Sequence, residues 1–216
     1  MTRKNFLPKF PDSYVGEFAE KYDGQKWMER NQKKTTLRCI EFLHDENLGP
    51  YPIKEDFSCL LLDIGCETGY SSEALISNGY RVIGVDILPD MLFKAKERKL
   101  KNHLDNLELI LADINFLPLR KESIDHIISV SAYNFITHDG KGSREEKMIA
   151  NNTARYLRKI LKENGRIIIE FYPQNEGELE FFSSSFKENG FKGFMIKNLP
   201  NQKAGQTYLL LTKKGT

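Results

Sequence analysis

Three acids stand at the ends of three successive apolar runs. Asp63 stands at the end of "CLLLDI", one residue before Ile64, Asp86 closes "RVIGVD" and Asp113 follows "LELILA". Carboxylates placed this way can accept hydrogen bonds from hydroxyl or amino groups, or face a cation. The first acid leads into "DIGCETGYSS", a turn in which Gly65 and Gly69 flank Glu67. A glycine-rich turn between a strand and its helix brings a ligand close to backbone amides at the helix N-terminus.

Two ligand classes use that geometry. A dinucleotide needs a glycine in the middle of the turn for close pyrophosphate approach, and a carboxylate there repels phosphate. Glu67 therefore disfavours it. S-adenosylmethionine has no phosphate and presents an ammonium and a sulfonium, which suit Asp63 and the turn. Asp86 then meets the ribose hydroxyls, and Asp113 the adenine amino group. One glycine turn is weak by itself; three acids at three consecutive strand ends are a specific pattern. Cys39, Cys59 and Cys66 show neither a disulfide framework nor zinc spacing, so no metal is expected. His44, His103, His126 and His138 lack ligand spacing or a paired acid, and only His138 lies in a loop expected to border the site.

Short apolar runs alternating with amphipathic segments predict a parallel α/β sheet covered by helices. Strands are expected at 59–64, 81–86, 107–112, 124–130, 166–172, 192–198 and 206–212, and helices at 71–78, 89–100, 144–164 and 176–189. The last two strands, joined by "LPNQKAG", read as a hairpin, which completes seven strands. Residues 1–52 form an N-terminal extension with two helices broken at Asp23-Gly24, followed by a linker containing Pro50 and Pro52. Residues 53–216 are the α/β domain.

With "DIGCETG" and the three acids, the chain resembles class I S-adenosylmethionine-dependent methyltransferases, which implies a Rossmann-like seven-strand sheet. The acceptor side narrows the resemblance. After the fourth strand "SVSAYNF" replaces the Pro-Pro-aromatic motif of amino-adenine and amino-cytosine enzymes. All three cysteines precede the strands where a carbon-5 pyrimidine enzyme needs its nucleophile. Phe171-Tyr172-Pro173, Gly190-Phe191-Lys192-Gly193, Asn198-Leu199-Pro200-Asn201, Lys21-Tyr22, Gln32 and "DINFLPLRKESIDHIISVSA" are similar to the small-subunit ribosomal RNA (guanine-N7) methyltransferase family, across nearly the whole chain. Glu67 stands where the family has its middle glycine and Asn134 where glutamine is usual, and the arginine expected beside Trp27-Met28 is missing. The ending "LTKKGT", without the long basic tail of eukaryotic members, suits a short archaeal-type member.

The resemblance implies a cofactor shell of Tyr22, Asp63, Gly65, Cys66, Gly69, Asp86, Ile87, Met91, Asp113, Ile114 and Ser129, covered by the N-terminal extension. It implies an acceptor pocket of Tyr133, Phe135, Phe171 and Pro173, with Asn134 and Tyr172 positioning the base. Guanine N7 has an in-plane lone pair, so no general base is expected. Lys33 and Lys34 are candidates for contact with ribosomal RNA or the small subunit. A small zinc-binding activator protein is expected on the third strand, 107–112, which the fold places at a sheet edge with an apolar sequence.

Composition bounds these readings. With 40% hydrophobic and 29% charged residues and a formal net charge of +2, the chain is neither a disordered tail nor a membrane protein. No apolar stretch reaches signal-peptide or membrane-span form, so a cytoplasmic location is expected. Two other readings share the fold: a methyltransferase for small molecules, and a non-catalytic scaffold in which Glu67 blocks the cofactor.

Overall fold

The computed structural model describes residues 9–49, 59–137, 140, 143–173, 176–198 and 206–214. Among these residues, seven strands form one sheet: β1 (Leu60–Ile64), β2 (Arg81–Asp86), β3 (Leu107–Leu111), β4 (Ile124–Val130), β5 (Leu161–Phe171), β6 (Phe191–Lys197) and β7 (Thr207–Lys213). Their order is β3-β2-β1-β4-β5-β7-β6. β1 to β5 run parallel, and β7 pairs antiparallel with both β5 and β6. The chain steps outward from β1 to β3 and then returns to β4 on the other side of β1. This reversal opens a crevice at the carboxyl ends of the central strands, where α/β folds bind ligands.

Both faces of the sheet are covered, which is why the strands read as continuous apolar runs. Leu62, Ile127, Ile167, Ile169 and Leu209 pack on one side with residues of α5 (Ser143–Ile160) and α6 (Glu176–Glu188). Their neighbours Leu61, Ile128, Ile168 and Leu210 pack on the other with Phe42 and Leu43 of α2 (Lys26–Leu43) and Leu75 of α3 (Tyr70–Ser77). Thus α2 belongs to the core. Arg166 fastens its end: the buried guanidinium donates to the carbonyls of Leu43, Asp45 and Gly49 at 2.7, 3.0 and 2.7 Å. Carbonyls left over at a helix C-terminus suit such a cation.

Ahead of α2, α1 (Glu17–Asp23) leans on α3 and on α4 (Pro89–Lys101). Tyr70 donates to the Asp23 carbonyl at 2.6 Å, and Arg98 pairs with the Asp23 carboxylate at 2.6 Å. The division expected at 52/53 falls outside the described residues, as do His138 and the turn from Leu199 to Asn201.

One expected boundary is corrected. The helix drawn over 144–164 stops at Ile160, and β5 begins at Leu161 rather than at residue 166. Leu161 pairs with Ile124, and the ladder then slips before resuming at His126–Arg166. A side chain at Gly165 would meet Leu161 at 2.5 Å and the Asp125 carbonyl at 2.7 Å, so the strand passes there only with glycine. No helix among the described residues is long and apolar enough to cross a membrane.

Candidate functional site

The turn after β1 is held from both sides. Gly65 has φ +66°, and a Cβ on it would lie 2.2 Å from the Cβ of Ala132. Gly69 has φ +87°, and its Cβ would meet Ala95 of α4 at 3.2 Å. Between them Cys66 N donates to the Val85 carbonyl at 3.0 Å. Asp86 anchors the turn to β2: its Oδ2 accepts Glu67 N, and its Oδ1 accepts Leu88 N, each at 2.9 Å. An ionised carboxylate accepts about two bonds per oxygen, so Asp86 keeps capacity for a ligand. Asp113 caps the short helical turn Ile114–Phe116 by accepting Asn115 N at 2.8 Å and Asn115 Nδ2 at 2.9 Å, both through Oδ1.

These strand ends border a cavity of about 570 Å³. Gly65, Asp86, Ile87, Met91, Asp113 and Ile114 of the expected cofactor shell line it, and so does Phe135 of the expected acceptor pocket. Its charged lining residues are Glu67, Asp86 and Asp113, and no Lys, Arg or His is among the described residues of its wall. Phe10 stacks on Phe135 at 5.1 Å between centroids, and Tyr14 meets the same ring edge-on at 6.0 Å, so the N-terminal segment closes one side.

Glu67 does not fill this space. Its Oε2 accepts from Tyr22 Oη and Gln32 Nε2, which draws the side chain toward α1 and α2. Burial pushes its carboxyl up to about 8 against the pull of those two donors, and Asp86 adds to the rise. Burial also raises Asp86, while the amides of Leu88 and Glu67 oppose it. Tyr14 is pushed up to about 12, first by burial and then by Glu67.

Several predicted residues stand elsewhere. Asp63, expected to face the ligand's ammonium, is fully buried and turned toward α3, where its Oδ2 accepts from Ser71 at 2.7 Å and Ser72 at 2.6 Å. Burial raises its carboxyl to about 6. Cys66 and Gly69 shape the turn from behind, Ser129 donates to the Ile64 carbonyl at 2.9 Å, and Tyr22 reaches the site through Glu67. None of these five lines the cavity.

Tyr133 and Phe171, expected in the acceptor pocket, are core residues, each 1% exposed. Both pack against Phe182, because their backbone positions point them toward the α5–α6 layer. The Tyr133 hydroxyl has no hydrogen-bond partner among the described residues. Tyr133→Phe should therefore raise stability by about 1 kcal/mol and leave ligand affinity unchanged, measured by thermal melting and calorimetry. Asn134, Tyr172 and Pro173 follow β4 and β5 but are not part of the cavity wall. Lys33 is occupied by Glu29 at 2.8 Å and Glu73 at 3.1 Å, whereas Lys34 is exposed.

Sequence reasoning missed Phe10, Tyr14, Asn115, Met148 and Asn152, all in the wall. The Asp-x-Asn spacing of a turn cap could have found Asn115. The others come from segments remote in sequence, with no local signal.

The chain is 32% identical over 192 residues to the 18S rRNA (guanine(1575)-N(7))-methyltransferase of Saccharomyces cerevisiae, covering 88% of this chain and 64% of that protein. It is 31% identical over 195 residues to the 18S rRNA (guanine-N(7))-methyltransferase of Bos taurus, covering 89% and 65%. The chain thus spans just under two thirds of the length of these two curated relatives. A methyltransferase solved in complex with the Haloferax volcanii Trm112 methyltransferase activator shares the fold with TM-score 0.59 and 16% identity, over 88% of this chain and 95% of that one. The family model described as methyltransferase domain matches residues 56–209. With the glycine turn, the strand-end acids and the sheet order in place, the chain belongs to the methyltransferase domain family.

Proposed function

We propose that the chain binds S-adenosylmethionine in this cavity and methylates guanine N7 in small-subunit ribosomal RNA. The acidity of the cavity carries the cofactor reading: Asp86 and Asp113, Glu67 with a carboxyl that a bound cation would help to ionise, and no described cation suit a ligand with a sulfonium and an ammonium and oppose phosphate. About 570 Å³ is also within the size range of cofactor sites. In this reading Asp86 accepts ribose hydroxyls through its remaining lone pairs, Asp113 meets the adenine amino group, and Ile87, Met91 and Ile114 enclose the base. The activities of the yeast and bovine relatives support the acceptor.

The bound cofactor supplies an electrophilic methyl group. The protein's part is to position N7, exclude water and accept charge spreading over the purine. Phe135, with Phe10 stacked on its ring, forms an apolar part of the cavity wall, and Asn134 and Tyr172 stand after adjacent strands as positioning groups. The deciding experiment incubates the protein with labelled cofactor and small ribosomal subunits lacking the modification, then maps the methylated base. Label on a metabolite and none on RNA overturns this reading.

RNA contact is assigned to α2. Lys26, Arg30, Lys34 and Arg38 recur every fourth residue on its exposed face, beside the exposed Trp27. Reversing Lys26, Arg30 and Lys34 to glutamate should weaken RNA binding roughly 10-fold near 0.1 M salt and flatten the salt dependence by about two units of slope. An unchanged slope removes this face as the RNA site. Lys33, paired with Glu29 and Glu73, supports the fold rather than the RNA contact.

The partner reading concerns β3, at the edge of the sheet. Glu108 pairs with Lys99 there, but Leu111 is 53% and the nearby Phe116 81% exposed. We assign this edge to a small zinc-binding activator that adds a strand; the complex noted above supports an activator as the kind of partner. Co-expression that leaves solubility unchanged and yields no complex overturns it. We propose the cytoplasm as the location of the reaction.

A further inference from the structure

Glu67 is 9% exposed and lines the cavity. Both of its side-chain hydrogen bonds end on one oxygen, Oε2, which accepts from Tyr22 and Gln32. Oε1 has no hydrogen-bond partner among the described residues. Oε1 takes part in neither bond, and the residue that carries it lines the cavity. The remaining groups around this carboxylate are acidic or phenolic: Asp63, Asp86, Tyr14 and Tyr22. A nearly buried carboxylate with one open oxygen and no described cation beside it is a receptor for a cationic group. Asp63 cannot serve, because its carboxylate is walled off behind the turn.

We propose that Glu67 Oε1 receives the α-ammonium of the cofactor's methionine moiety, while Tyr22 and Gln32 hold the carboxylate in place through Oε2. This inference rests on the reading of the cavity as an S-adenosylmethionine site. It assigns a specificity to the chain: ligands with an amino group at that position are selected over those without one. It also gives the left-handed conformation of Glu67, φ +50°, a function. A non-glycine residue is strained there, and the strain holds the side chain between the N-terminal helices and the ligand.

Titration calorimetry tests this with S-adenosylhomocysteine, its analogue carrying hydrogen in place of the α-amino group, and 5′-methylthioadenosine. The native protein should bind S-adenosylhomocysteine on the order of 30-fold more tightly than the desamino analogue. In Glu67→Gln that gap should shrink below about 3-fold, with affinities for the desamino analogue and methylthioadenosine unchanged. Equal native affinities for the amino and desamino ligands overturn the proposal without any variant. So does a Glu67→Gln loss that is the same for all three nucleosides, which makes the residue a shaper of the turn. If the native protein binds none of them, the cofactor reading fails as well.

Discussion

Gly65→Ala should lower cofactor affinity on the order of 100-fold while the sheet still forms. The residue has φ +66°, where an alanine costs about 1–2 kcal/mol in backbone strain. The added Cβ would also lie 2.2 Å from the Cβ of Ala132. Both atoms are bonded directly to backbone, so no rotamer change separates them. The turn after β1 must move away from the segment after β4, and both belong to the cavity wall. Gly49→Ala is the control: φ is +99°, but nothing lies within 4 Å of where its methyl group would sit, so only the backbone strain applies. Calorimetry with S-adenosylmethionine and thermal melting of both variants separate strain from loss of the site. Equal affinity losses in the two variants would sink the steric account.

Glu67→Gln should stabilise the ligand-free protein in alkali and leave it unchanged in acid. The carboxyl titrates at about 8 in the folded protein, against an ordinary value of 4.5, because burial penalises its charge. Below the ordinary value both folded and unfolded chains hold the proton, and the residue has no net effect. Between the two values the unfolded chain ionises and the folded one does not. Stability therefore falls as pH rises through this window, and the loss is complete above about 8. The expected loss is on the order of 5 kcal/mol, worth roughly 10–20 °C in melting temperature for a chain of this size. Glutamine has no proton to lose and keeps a carbonyl to accept from Tyr22 or Gln32. The comparison is the melting temperature of native protein and variant at pH 4.5 and pH 9. A pH-independent difference would show that the carboxyl is not held neutral. Stability gained with cofactor discrimination lost is the trade expected of a binding residue.

The extent to which the site was legible in the sequence differs residue by residue. β2 and β4 coincide with their expected spans, because runs such as "RVIGVD" and "IDHIISV" are buried on both faces and bounded by turn residues. Asp86 and Asp113 were legible as residues facing the crevice because one ends β2 and the other starts the turn after β3, where α/β folds open. Asp63 lies inside β1, one residue before its end, and has a different fate. The serines on the first turn of α3 capture its carboxylate, and that competition appears only once the helix is packed. Tyr133 and Phe171 were misplaced for a related reason: an aromatic residue after a strand suits either a pocket or a core. The phenylalanines of α6 decide for the core.

The sequence by itself determined the alternation of strands and helices, the glycine turn and the acids at successive strand ends, because these follow from local periodicity and residue chemistry. It also marked Glu67 as one of three departures from the family pattern it resembles. Only the tertiary structure decided what that departure does. Tyr22 and Gln32 lie 45 and 35 residues away along the chain, and no local pattern brings them to the carboxylate. Packing α2 into the core sets them beside the turn, and Phe10 and Tyr14 then close the cavity from a segment with no periodic signal of its own. Strand ends are positioned by short-range hydrogen bonding, whereas a binding cavity is enclosed by contacts between distant segments.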